Sequence, residues 1–152
     1  MEQFSLYGAI FVMLLLIPNM VFAATHKDGF ENLYKNRIVE ALEQLGRFGC
    51  FAFMIYRPAF ACGGWLFDGA CAAYQISGAL LTAMYIAGWV ILWREDSVRK
   101  SLALSILPSL LFLESGVLTL NYPLIFLSVI FAPCHIVLSY QNAKLKALED
   151  KT

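Results

Sequence analysis

Charge is what this 152-residue chain has least of. Asp, Glu, Lys and Arg make up 14% of it, the residues AVILMFWYC make up 60%, and the mean hydropathy is +0.67. A soluble domain carries about a quarter of its residues charged. Too few polar side chains remain to cover a water-facing surface, so lipid or other apolar side chains must surround most of the chain. Neither sign is in excess, since eleven basic and eleven acidic residues cancel. Without a basic surface to neutralise phosphates, a nucleic-acid partner is excluded.

Motifs are missing too. No CxxC occurs among the four cysteines, which disfavours a membrane thiol oxidoreductase and leaves a zinc site unsupported. HExxH is absent, and the two Ser-Gly contexts, Gln75-Ile76-Ser77-Gly78 and Leu113-Glu114-Ser115-Gly116, lack the first glycine of a serine-nucleophile motif. No residue is assigned as catalytic or metal-binding, and no cofactor is implied. There is no low-complexity tract or internal repeat, so residues 1–152 form a single transmembrane domain. The N-terminus offers Glu2 and Gln3 in place of the basic n-region of a cleavable signal peptide. The first apolar run therefore reads as a retained span, although Val21 and Ala23 stand at plausible small-residue positions.

What is present is a series of long apolar runs. About 20 such residues match a hydrocarbon core of about 30 Å. Residues 4–24 contain no charge, and 72–93, 101–120 and 124–140 are similar runs, the third carrying Pro108 and Glu114. Residues 38–56 are ambiguous, because Glu40, Glu43, Gln44 and Arg47 fall in the first half. Asp28 and Glu31 have capping-box spacing ahead of it. Asn121-Tyr122-Pro123 signals a tight turn, and the tail from Gln141 reads as polar.

Lys and Arg counting tests the doubtful segment, because cytoplasmic loops collect both. With five crossings, Lys27, Lys35, Arg37, Arg94, Arg99, Lys100, Lys144, Lys146 and Lys151 share one side, and only Arg57 faces the other. With four crossings the loops merge and the bias disappears. The expectation is an all-α, multi-pass bundle of five transmembrane helices in a cell membrane, with the N-terminus outside and the C-terminus cytoplasmic. Its surroundings are the lipid bilayer, with a homo-oligomer or a larger membrane complex as further partners.

Small residues let helices approach closely in lipid. Ala79, Ala83 and Ala87 on the third helix and Ser101, Ser105 and Ser109 on the fourth read as helix–helix contacts. Trp65, Trp89 and Trp93 fit an interfacial aromatic belt. Cys62 and Cys71, in or beside the outer loop, have a disulfide open to them in an oxidising compartment.

Ionisable groups inside a membrane are costly and usually face the bundle interior. Glu40, Glu43, Gln44 and Arg47 share one broad helical face, with Glu43 four residues ahead of Arg47. On the fifth helix, Ser128, Ala132, His135, Ser139 and Asn142 form a small, polar seam. At 1.5 Å per residue, Glu43, His135 and Asn19 lie about 8 Å and Arg47 about 14 Å from the cytoplasmic ends. Asn19, Glu43, Gln44, Arg47 and His135 are therefore the candidate ligand-binding residues. A structural polar network, with Arg47 snorkelling to headgroups, is the alternative. Glu114 lies about 20 Å from the inner end of its helix, and meets either a second helix or the outer interface.

Leu16-Ile17-Pro18-Asn19, Glu43-Gln44-Leu45-Gly46-Arg47-Phe48 and Ile130-Phe131 with His135-Ile136 resemble recurring segments of an uncharacterised family of small multi-helix membrane proteins from Gram-positive bacteria. The resemblance implies a bacterial cell membrane and singles out the same five positions. Glu43-xxx-Arg47 with Phe131-xxx-His135 also resembles fragments of the CAAX-type intramembrane protease pattern. Here Leu42 stands where that pattern has its first Glu, and the second intramembrane His is missing. Three functions remain: binding or transport of a small ligand or proton, a non-catalytic accessory, assembly or immunity role, and an intramembrane enzyme.

Overall fold

A computed structural model describes residues 3–26 and 32–149, so the Asp28/Glu31 capping pair lies outside the described residues. Within them the chain forms five helices and no strand: α1 Leu6–Thr25, α2 Arg37–Ile55, α3 Ala70–Ile91, α4 Val98–Leu118 and α5 Tyr122–Glu149. Four of these, α1, α3, α4 and α5, are long and apolar enough to cross a membrane. The charged first half of α2 keeps it out of that set.

Side-chain caps fix where the helices begin, satisfying N–H groups that have no partner inside the helix. Ser5 accepts from Gly8 N at 3.1 Å, Asn36 from Ile38 N and Val39 N, and Ser97 from Lys100 N. Asn121 accepts from Leu124 N at 3.3 Å and, fully buried, donates its amide to Phe53 O at 2.7 Å. One side chain thus starts α5 and ties the α4–α5 turn to α2.

Consecutive helices run antiparallel and close a ring in the order α1, α2, α5, α4, α3, with α2 also touching α4 across the centre. Phe11, Leu15, Met54, Tyr74, Leu111, Phe112 and Phe131 fill the middle. Edge-to-face ring pairs, such as Phe112–Phe131 at 5.5 Å and Phe51–Phe112 at 5.7 Å, knit α2, α4 and α5 together. Large apolar side chains such as Met13, Phe48, Ile76, Leu80 and Phe126 point outward, as lipid contact requires.

The α2–α5 contact positions the site. It runs in antiparallel order from one end of α2 to the other: Phe53 with Asn121, Gly49 with Leu127, Gly46 with Phe131 and Glu43 with His135. Beyond the start of α2, Tyr34 N donates to Asn142 Oδ1 at 2.7 Å. A Cβ at Gly46 would stand 2.8 Å from the Phe131 Cβ and 3.0 Å from its Cα, so only glycine permits this approach.

Several expectations need correction. The fifth helix does not end at 140 but continues to Glu149. Its tail residues are strong helix formers, and Asn142 and Lys146 find partners in Tyr34 N and Asp96. Ala79, Ala83 and Ala87 face outward; α3 instead packs through Tyr74, Gly78, Thr82, Tyr85 and Trp89. Ser105 and Ser109 are buried, so that stripe does pack. Trp89 is core rather than belt: with Phe22 and Trp93 it surrounds the buried Lys100, whose Nζ lies 4.4 Å from the Phe22 ring centroid. Cys62 and Cys71 are separate free thiols. Cys62 is held in a bridge with Asn121, and Cys71 sits on the exposed side of the first turn of α3.

Candidate functional site

Glu43 is the most enclosed charged side chain of the bundle interior, 2% exposed, and two cationic or potentially cationic groups meet it. Arg47, one turn along α2, donates from Nε to Glu43 Oε1 at 2.9 Å and from Nη2 to the same oxygen. Across the helix contact, His135 Nδ1 lies 2.9 Å from that oxygen as well. Helical spacing brings the first pair together, and the glycine at position 46 lets α5 come near enough for the second. The His135 ring stacks on Phe131 with centroids 4.6 Å apart, which holds its plane.

An ionised carboxylate only accepts hydrogen bonds, so Nδ1 of His135 carries the proton it shares with Glu43. That leaves Nε2 as the nitrogen able to gain or lose a proton. The exposures are graded. Glu43 is sealed, whereas the His135 side chain keeps 19% and the Arg47 side chain 36% of their surface. The sealed acid cannot be stripped of its partners cheaply, since an uncompensated charge in such a place costs several kcal/mol, about 3–5 when a buried pair is broken.

Asn19 belongs to an adjoining set. Its Nδ2 donates to Leu15 O at 2.9 Å and to the Tyr85 hydroxyl at 2.8 Å. Three of the five sequence candidates, Glu43, Arg47 and His135, are therefore brought together between α2 and α5, and Asn19 instead joins Tyr85 between α1 and α3. Gln44 is in neither group. It is exposed, because it stands about 100° around α2 from Glu43 and on the far edge of the same face.

Tyr85 was missed by sequence reasoning. The signal available was a hydroxyl-bearing aromatic at i, i+3, i+7 spacing with Thr82 and Trp89, along the α3 face that turned out to be buried. Glu114 meets a second helix rather than the outer interface, bonding to Ser77 Oγ of α3. Nearby, the Arg57 guanidinium stacks over Tyr74 at 5.0 Å and Trp65 at 5.4 Å. Among the described residues no three His, Cys, Asp or Glu side chains converge as a metal site would need.

Compared with family models, curated proteins and solved structures, the chain has no match.

Proposed function

We propose that the chain is a small binding or transport-type protein of a cell membrane, crossing it five times with its N-terminus outside, and that the species exchanged at Glu43–Arg47–His135 is a proton. Support for the fifth crossing is that α2 runs beside α5, a helix long and apolar enough to span, along the whole length of α2. The Lys and Arg distribution fits the orientation, and the bacterial location is what the resemblance of the three short segments implies.

One observation carries the proton reading: Arg47 and His135 converge on a single carboxylate oxygen of a sealed glutamate. Glu43 and Arg47 neutralise one another, so this reading assigns the exchanged proton to the remaining member of the cluster, the imidazole. Imidazole is the side chain whose ordinary titration range includes neutral pH. A proton arriving at Nε2 creates an imidazolium that Glu43 already faces at 2.9 Å. Cys134 is a further titratable group beside the cluster, reached by the Glu43 charge. At five helices the bundle is small for an alternating-access carrier, which builds its site between repeats. The reading therefore includes a homo-oligomer or a larger membrane complex.

The experiment uses the fact that the chain has two histidines. His26→Gln leaves His135 as the single imidazole, visible by 15N NMR in detergent. The His135 signal is expected to respond to pH and to change that response in Glu43→Gln. A signal indifferent to pH, or blind to Glu43→Gln, overturns the proposal. If Arg47→Ala and His135→Ala then only destabilise the protein, the cluster merely orders the bundle, as in an accessory protein.

A further inference from the structure

Ser77 stands between two oxygens and has one proton to give. Its hydroxyl lies 2.5 Å from Ala73 O, one turn back on α3, and in hydrogen-bond contact with Oε1 of Glu114 on α4. A carbonyl only accepts, and so does an ionised carboxylate. Were Glu114 ionised, one hydrogen would have to serve both contacts, and at one of them two oxygens would meet with no hydrogen between. A carboxyl proton resolves this: Glu114 donates to Ser77, and Ser77 donates to Ala73 O. A metal ion, whose oxygen ligands stand about 2.0–2.6 Å from it, does not fit between oxygens this close.

The surroundings of the acid agree with the hydrogen count. Glu114 is half-buried, four residues or about 6 Å before the end of α4. No Lys, Arg or His bonds to it among the described residues, whereas Glu43 has Arg47 and His135. An ionised group inside a membrane is costly without such a partner. The other titratable side chains at this end of the packed helices are Tyr74 on α3, Cys50 on α2 and Tyr122 on α5. The guanidinium of Arg57, just past α2, lies over the Tyr74 and Trp65 rings.

We infer that Glu114, closed by Ser77, is a second proton-binding site of the chain, holding its proton as the neutral acid. It lies at the end of the bundle opposite Glu43. Asn121, just past α4, bonds to Phe53 near the end of α2, whereas Glu43 is near the start of that helix. The site itself stands without the proton reading above. Only its use, as one of two proton-binding groups in opposite halves of a proton-exchanging protein, rests on that reading.

The test is infrared spectroscopy of the purified full chain at neutral pH, in a maltoside detergent that has no carbonyl of its own. A protonated carboxyl shows a C=O stretch, clear of the amide bands, that an ionised carboxylate lacks. The chain is expected to show one such band, lost in Glu114→Gln and kept in Glu43→Gln. In Ser77→Ala the band is expected to move, because the acid loses the hydroxyl to which it donates. Glu114→Gln keeps a donor to Ser77 in its amide and is expected to stay folded. No band in the unaltered chain, or a band that survives Glu114→Gln, overturns the inference. So does a band that fades when sodium replaces choline at constant pH, since a metal cation would then be the occupant. The His135 signal reads the inner cluster on the same samples, so the failure of either site is seen apart from the other.

Discussion

Replacing Gly46 by alanine tests the packing that creates the site. The new methyl carbon would stand 2.8 Å from Phe131 Cβ, 3.0 Å from its Cα and 3.2 Å from its backbone nitrogen. Carbon atoms settle at about 3.5–4.0 Å, and backbone atoms cannot turn aside as the end of a side chain can. Relief therefore requires α2 and α5 to separate by about 1 Å, the difference between those distances. Transferred to the next turn, that movement stretches the 2.9 Å contact between Glu43 and His135 beyond hydrogen-bonding range, which ends near 3.2 Å.

Overpacking costs about 1–3 kcal/mol, and loss of a bond to a charged group about 1.5–3 kcal/mol. The gain from alanine's helix propensity is only about 1 kcal/mol. The net expectation is a loss of about 1.5–5 kcal/mol on these terms. Gly49 is the control one turn along. A Cβ there meets Leu127 Cδ1 at 2.6 Å, the far end of a side chain free to rotate. A strained rotamer costs about 0.5–1.5 kcal/mol, and propensity offsets it, so Gly49→Ala is expected to be close to neutral. Tryptophan fluorescence during thermal unfolding in detergent reads both variants. Equal stability of the two, or an unchanged His135 signal in Gly46→Ala, would refute the claimed closeness of α2 and α5.

Two further outcomes follow from the ends of the helices. Asn121→Ala removes the cap of α5 and leaves Phe53 O unpaired, with an expected loss of about 2 kcal/mol in the same assay; a loss below half of that contradicts the capping role. Burial pushes the Cys62 thiol up, against the smaller opposing effect of Arg57. A raised pKa means that the reactive thiolate appears only at higher pH. At neutral pH, Cys71 is expected to be alkylated several-fold faster than Cys62, with the gap narrowing as the pH rises. Equal rates, or a band shift on reduction that betrays a disulfide, would contradict this.

Much of the fold was legible because apolar run length is a direct imprint of bilayer thickness. All five helices lie where the runs place them, and the α5 extension escaped because a polar tail of helix formers looks the same whether it is coiled or wound. Periodicity found Glu43, Arg47 and His135, since charged groups in lipid have few places to go. It overreached at Gln44, because residues one apart lie about 100° apart on a helix and only one edge of the α2 face meets α5. Ala79, Ala83 and Ala87 misled for a related reason. Small residues permit close approach without requiring it, and on α3 the larger Tyr74, Tyr85 and Trp89 span the gaps to neighbouring helices. Nor does a tryptophan near a helix end announce whether it meets headgroups or, like Trp89, a buried lysine. Tyr85 emerged only once α1 and α3 were side by side.

The decisive question is whether α2 passes through the bilayer, because a helix lying on the surface could not keep Glu43 against His135 of α5, a helix long and apolar enough to span. Lys35 precedes α2 and Cys71 follows it, and both are exposed. In cells making variants with a single cysteine at 71 or, by Lys35→Cys, at 35, a membrane-impermeant maleimide is expected to label position 71 on intact cells. Position 35 should be labelled only after permeabilisation. Labelling of both positions from the same side would contradict the account.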